Sequence, residues 1–224
     1  MVLASGRNKA VLRYNAQMIG AKNYIAELGC ELIYNLGEDI RVTFDTDKFN
    51  YDTTYGGKDL KRIIKILKEN FPQKIEGKVE WSKYRSYNAL FFGEIDLPKA
   101  NRLLKEKGYQ TLCLVENGKS ALVELNLDVS NLYIYNLMPE GVDKARAIAL
   151  DKKIRGIPRD QCIALGDSVA DISMASEVKY FFLMGGSLKN DAHFLQELKR
   201  YDNIYITSQN MNRGWVEVIG HLTG

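Results

Sequence analysis

Two aspartates four residues apart, Asp167 and Asp171, follow the apolar run Cys162-Ile163-Ala164-Leu165 and the chain-reversing Gly166. The run has the length and bulk of a strand buried in a parallel sheet, and Ile172, Met174 and Ala175 beyond it predict a helix. Both carboxylates therefore fall at the carboxyl end of a strand, the edge of an open α/β sheet where ligands bind. Hard oxygen ligands on such a loop suit Mg2+, which keeps several waters and takes a substrate phosphate as a further ligand. The same residues have a plainer use. Asp167 or Ser168 can cap free helix amides, with Asp171 in the first turn, where the helix dipole favours an acid. Taken alone, the stretch leaves both readings open.

The elements that must position these groups come from a chain of 224 residues, 46% hydrophobic, which is enough for one large or two modest domains with buried cores. Its net charge of +3, from 31 basic and 28 acidic residues, is compatible with phosphorylated substrates but too small and dispersed for nucleic acid. The longest basic cluster, Lys58 to Lys68, carries Leu60, Ile63, Ile64 and Leu67 at helical spacing and reads as the solvated face of an amphipathic helix. Cys30, Cys113 and Cys162 are odd in number and scattered in apolar runs, which fits free thiols in a reducing compartment. No stretch approaches the ~18 apolar residues of a membrane span and no signal-peptide pattern opens the chain, so the expected location is the cytoplasm.

In chain order, Met1-Val2-Leu3-Ala4 predicts a strand end, Ser5-Gly6-Arg7 a small-residue turn, and Val11 to Ile19 a helix. Ser5 on its own reads as a helix N-cap. Short strands are expected at Asn23 to Glu27, Glu31 to Tyr34 and Ile40 to Phe44. Between about Lys48 and Asn136 the texture changes: helices at Asp59 to Glu69 and Pro98 to Lys107 alternate with strands at Ala89 to Phe92, Thr111 to Val115, Ala121 to Leu125 and Leu132 to Tyr135. That mixture predicts an α+β layer distinct from the parallel sheet. A helix starting near Gly141 leads back, and after the acidic stretch strands at Tyr180 to Met184 and Ile204 to Thr207 alternate with helices at Leu188 to Leu198 and Trp215 to Leu222.

The pattern G-D-S-x-x-D-x-x-M at Gly166 to Met174 resembles the fourth motif of the haloacid dehalogenase superfamily of Mg2+-dependent phosphatases. A-S-G-R at Ala4 to Arg7 resembles the second motif, whose hydroxyl binds the transferring phosphoryl group. G-x-x-K-x-x-A-I from Gly141 resembles the third, whose lysine neutralises phosphate and nucleophile. The segment Y-I-A-E-L-G-C-E-L-I-Y, Tyr24 to Tyr34, is similar to the part of cap-bearing members that leads out of the core. The resemblance implies Lys144 and Ser5 as catalytic residues, with Ser5, Gly6, Arg7 and Lys144 binding substrate and Asp167 and Asp171 holding Mg2+. A lysine in a first helical turn opposes the dipole, which is consistent with a functional role for Lys144. The implied fold is α/β, a Rossmann-like core of residues 1–46 plus 138–224 interrupted by an α+β cap at 47–137. The implied substrate is a small phosphorylated metabolite such as a sugar phosphate or phosphoglycolate.

Two features depart from the family pattern. The nucleophilic D-x-D motif that should precede the second motif is absent, and the expected explanation is that the chain starts after it. The alternatives are a non-catalytic relative that binds a phosphorylated ligand or partner, and a permuted site in which Asp45-Thr46-Asp47 supplies the pair, although Lys48-Phe49-Asn50 lacks the small turn that close phosphate approach needs. In addition, Ala170 stands beside Asp171 where many relatives have asparagine, which removes an amide that would support the site.

Overall fold

The computed structural model describes residues 1–120, 125–187 and 192–223. These form two compact units, Met1–Val142 and Asp143–Gly224.

The first unit opens with β1 (Val2–Ala4), α1 (Lys9–Met18), β2 (Asn23–Ala26), β3 (Glu31–Tyr34) and β4 (Asp39–Val42), and the strands lie in that order in one sheet. β1 runs parallel to β2, whereas β2, β3 and β4 are antiparallel neighbours. Asn8, not Ser5, caps α1, its side-chain oxygen accepting from the Val11 amide at 3.0 Å. The apolar stripe of α1 places Leu12 and Ala16 against Tyr24, Ala26 and Ile33. Both hairpin turns use the same x-Leu-Gly device. Glu27 and Leu28 in one, and Asn35 and Leu36 in the other, have φ between 48° and 59°. Non-glycine residues adopt that region at a steric cost, which is held in place here by the flanking ladders.

The unit continues with α2 (Lys58–Asn70), β5 (Ile75–Gly77), β6 (Ala89–Gly93), α3 (Leu97–Glu106), β7 (Leu112–Lys119) and β8 (Tyr133–Pro139). The strands pair antiparallel in the order β5-β6-β8-β7. Alternation along them sorts the side chains: Phe91, Leu112, Leu114, Tyr135 and Leu137 pack with Leu60, Ile63 and Leu67 of α2 and Ala100 and Leu104 of α3. The opposite face carries Leu90, Asn136 and Val115, which lie side by side in register. Asp96 caps α3 through the Lys99 amide at 2.9 Å, with Pro98 in the first turn, where its missing amide costs nothing. Of the strand expected at Ala121 to Leu125, residues 121–124 lie outside the described residues.

The second unit is α4 (Lys144–Arg155), β9 (Ile163–Gly166), α5 (Val169–Ile172), β10 (Tyr180–Leu183), α6 (Ala192–Leu198), β11 (Ile204–Ile206) and α7 (Met211–Thr223). Its three strands form a parallel sheet in the order β11-β10-β9. Gly156, at φ 64°, closes α4 in the left-handed conformation that glycine adopts without strain. Parallel strands linked by helices, beside antiparallel strands carrying helices, give the mixed α/β class that the sequence predicts.

Close packing makes one glycine hard to replace. A Cβ on Gly93 would lie 2.1 Å from the Lys74 carbonyl oxygen, where β5 meets β6. Gly93→Ala is expected to destabilise the protein by about 1–3 kcal/mol, the usual cost of overpacking, and to lower the midpoint of urea unfolding. An unchanged midpoint would show that this crossing is looser than its geometry.

Candidate functional site

Lys144 is the first residue of α4, after the N-cap Asp143, whose carboxylate accepts from the Arg146 amide at 2.8 Å. Only 6% of Lys144 and 4% of Asp171 is exposed, and the lysine Nζ donates to Asp171 Oδ1 in a buried ion pair. The other oxygen, Oδ2, accepts from the Asp167 amide at 3.1 Å, the Ser168 amide at 3.0 Å and Ser168 Oγ at 2.7 Å. Asp171 thus takes four donors, which is the whole acceptor capacity of a carboxylate. It fixes the Gly166-to-Ser168 turn at the end of β9 and holds Lys144 in place. Gly166 is required there, since a Cβ would come within 2.4 Å of the Asp171 Cβ.

Asp167 differs in every respect. It is exposed, and it pairs with no cation among the described residues. Partial desolvation and the charge of Asp171 push its carboxyl above the usual range. Asp171 is shifted the other way: burial alone would raise it, but the Lys144 ammonium, with the Lys144 and Ser168 hydrogen bonds, outweighs burial and lowers it. Two adjacent acids with opposite shifts mark a site where charge is being managed.

The second unit therefore brings together three of the residues singled out in the sequence: Lys144, Asp167 and Asp171. A Mg2+ ion fits this donor set through Asp167, whose repelled carboxylate gains from a cation. Asp171 can add a direct bond only if Lys144 releases Oδ1. No group of three or more His, Cys, Asp or Glu suited to a metal occurs among the described residues. One or two carboxylates completed by water and phosphate are the usual Mg2+ arrangement.

Ser5, Gly6 and Arg7 lie in the first unit, in the turn between β1 and α1. The Ser5 amide donates to the Ile25 carbonyl at 3.0 Å, and its Oγ accepts from the Arg7 amide at 3.3 Å. The turn is tied to the β2–β3 hairpin by Glu27 N to Arg7 O at 3.0 Å and Leu28 N to Ser5 O at 3.1 Å. Asp45 caps its own turn through the Asp47 amide at 3.1 Å and pairs with Lys48 at 3.1 Å. This is ordinary Asp-rich turn chemistry.

Residues 1–197 match the haloacid dehalogenase-like hydrolase family. The chain belongs to that family. Its fold is similar to that of the Synechocystis sucrose-phosphatase solved with sucrose and phosphate, at TM-score 0.66 and 13% identity over 98% of this chain and 83% of that one. A Thermoplasma acidophilum protein aligns at TM-score 0.63 and 16% identity over 98% and 81%. A haloacid dehalogenase-like hydrolase from Bacillus subtilis aligns at 0.60 and 14% over 99% and 87%. No curated protein matches. At these identities the likeness shows the fold, and the family membership rests on the match over residues 1–197.

Sequence reasoning overlooked a second polar cluster in this chain. Glu27, fully buried, accepts from the Ser86, Tyr87 and Asn88 amides at 2.8, 2.9 and 3.2 Å. Arg85 Nη1 donates to the Gly6 carbonyl at 3.0 Å and to Asn88 Oδ1 at 2.5 Å. The signal in the sequence was the pair of acids, Glu27 and Glu31, inside the apolar run Tyr24 to Tyr34.

The buried pair predicts a pH dependence. An acid whose folded pKa is depressed stabilises the fold above its unfolded value, about 3.9 for aspartate, and that contribution is lost as pH falls through the lower folded value. Asp171→Asn should cost about 3–5 kcal/mol at pH 7, because Lys144 stays buried without its partner, and should flatten the acid limb of stability against pH. Asp167→Asn removes the repelling charge and should raise Tm at pH 7. Thermal unfolding from pH 2.5 to 7 checks both, and parallel acid limbs for parent and Asp171→Asn would refute the assignment.

Proposed function

We propose that this chain acts on a small phosphorylated metabolite as a Mg2+-dependent phosphatase of its family. The observation that carries the proposal is the open Asp167 carboxylate beside the buried Lys144–Asp171 pair at the carboxyl end of β9. Lys144 keeps two N–H bonds beyond the one it gives Asp171, enough to bind phosphoryl oxygens. Asp171 holds that ammonium in place through their buried ion pair. Asp167 holds the metal, which when bound supplies positive charge against the phosphoryl oxygens. Ser5 Oγ, the Gly6 backbone and Arg7 are proposed as phosphate contacts. Residues 1–46 plus 138–224 are proposed as the core and 47–137 as the cap. We also propose a cytoplasmic setting. It is supported by three free cysteines and by the lack, among the described residues, of a helix long and apolar enough to cross a membrane.

Hydrolysis through a phosphoenzyme needs an attacking carboxylate. Asp45-Thr46-Asp47 is the only D-x-D in the sequence, and Asp45 is occupied with its own turn and Lys48. This favours a second reading, in which these 224 residues bind a phosphorylated ligand without turning it over. Both readings share the phosphate site.

Calorimetry with Mg2+ and inorganic phosphate tests that site. The parent is expected to bind Mg2+, Asp167→Ala to lose most of that affinity, and Lys144→Ala to weaken phosphate by about tenfold or more, the value of one charge-assisted contact. Full binding by both folded variants would refute the site. Turnover of small phosphate esters separates hydrolase from binding module, and turnover abolished by Asp45→Asn would restore the permuted pair.

A further inference from the structure

α7 is apolar around more of its circumference than its own unit covers. At about 100° per residue, buried Gly214 and Val218 mark the side turned toward the unit, and Met211, Leu222, Trp215, Ile219 and Val216 occupy the adjoining arc of about 140°. These five are between 37% and 69% exposed. The ionisable residues of the helix, Arg213, Glu217 and His221, fall four apart on the remaining side. There Glu217 accepts from the Ser208 and Gln209 amides at 3.0 and 3.1 Å. A helix that only had to cover its own core would need an apolar stripe of about 100°, and α7 has about twice that. The family match ends at residue 197 and α7 spans Met211–Thr223, so the match does not account for this face.

The exposed area is that of an interface. At about 200 Å² for a fully exposed large side chain, the five leave on the order of 500 Å² open. Single apolar residues are normal on a protein surface, whereas a contiguous patch of this size is often functional. Homodimer interfaces are about 65% apolar, so about 500 Å² of apolar surface corresponds to about 800 Å² per copy once a polar rim is added, the size of a stable pairwise interface.

We propose that this face of α7 is a dimer interface between two copies of the chain. Its composition selects a second copy over other occupants. The patch carries no charge, so two copies meet without repulsion and a charged partner finds nothing to pair with. Helices that lie on membranes are rich in lysine and arginine on the polar face, and the polar stripe of α7 offers one arginine, one glutamate and one histidine. The patch also matches itself under the two-fold axis of a dimer, where residue i meets residue j and j meets i. Laid antiparallel about a centre near position 217, two α7 helices set each Trp215 against the partner's Ile219 and each Met211 against the partner's Leu222. A tryptophan near the centre of such a patch is the side chain that carries most binding energy in interfaces.

Sedimentation equilibrium of the full chain over a range of concentrations tests the interface. Trp215→Ala and Val216→Glu alter the patch, and Met18→Glu, on the exposed side of α1, is the control. The parent should run at twice the 25.5 kDa of the single chain, with a dissociation constant of about 1 μM or lower. Trp215→Ala should weaken self-association by about thirtyfold or more, as loss of a central anchor does, and Val216→Glu by a similar factor through two carboxylates brought close to the axis. Met18→Glu should leave it unchanged. Circular dichroism should show the parent's helix content in all three variants, because each replaced side chain is already largely open. Amide exchange in α7 should slow as the parent is concentrated. A parent that stays monomeric at every concentration, or a dimer that survives both folded α7 variants, would overturn the inference. So would a monomeric parent that sediments with phosphatidylcholine vesicles through Trp215, which would assign the face to a membrane surface.

Discussion

The second unit depends on one buried ion pair. Taking an ammonium and a carboxylate out of water is expensive, and the pair is tolerable only when the remaining lone pairs are satisfied. Asp171 meets that condition by collecting Lys144, two backbone amides and the Ser168 hydroxyl. The consequence is geometric. The end of β9, the turn after it and the start of α4 are fixed by one carboxylate, which also holds the Lys144 ammonium in place. A lysine at the first position of a helix opposes the dipole, and its charge is held there by Asp171.

The same carboxylate sets the properties of its neighbour. Partly desolvated and beside the Asp171 charge, with no ion pair among the described residues, Asp167 holds its proton more tightly than an ordinary surface aspartate. A ligand cation relieves that repulsion. The sequence showed two equivalent aspartates at the end of a strand; the fold makes them unequal, one structural and positioning, the other open. The spacing D-x-x-x-D suits this division, because it lets the second side chain fold back onto the amides at the first.

The legible parts of the sequence were those with a strong local signal. The period of α2 and the apolar run before Gly166 each specify their element through nearby residues. β5 escaped notice because Ile75-Glu76-Gly77 is three residues long with a glycine at its end, and it becomes a strand by pairing with β6. The Ser5 turn was read as a cap in isolation, and Asn8, three residues on, took that role. Lys144 and Asp171 could be paired only through the family pattern, since they are separated by 27 positions and meet by tertiary folding. Glu27 and Arg85, 58 residues apart, gave no joint signal at all.

That last pair shows how a strained turn can be retained. Glu27 and Leu28 adopt left-handed backbone at φ 53° and 59° though neither is glycine. The equivalent turn at Asn35 and Leu36 begins with asparagine, the side chain most at ease in that region. At position 27 an asparagine amide could not accept three backbone N–H groups as a carboxylate does, because only its oxygen accepts. The carboxylate is therefore selected by the segment it must hold, and the backbone strain is the cost of bringing it there. A buried acid with a pKa raised by desolvation, countered by the Tyr87 and Ser86 amides, is stable only while those amides stay in place. The turn at Ser5 to Arg7 and the segment at Ser86 to Asn88 are thus coupled through a single side chain, and displacement of either one leaves a charge buried without its donors.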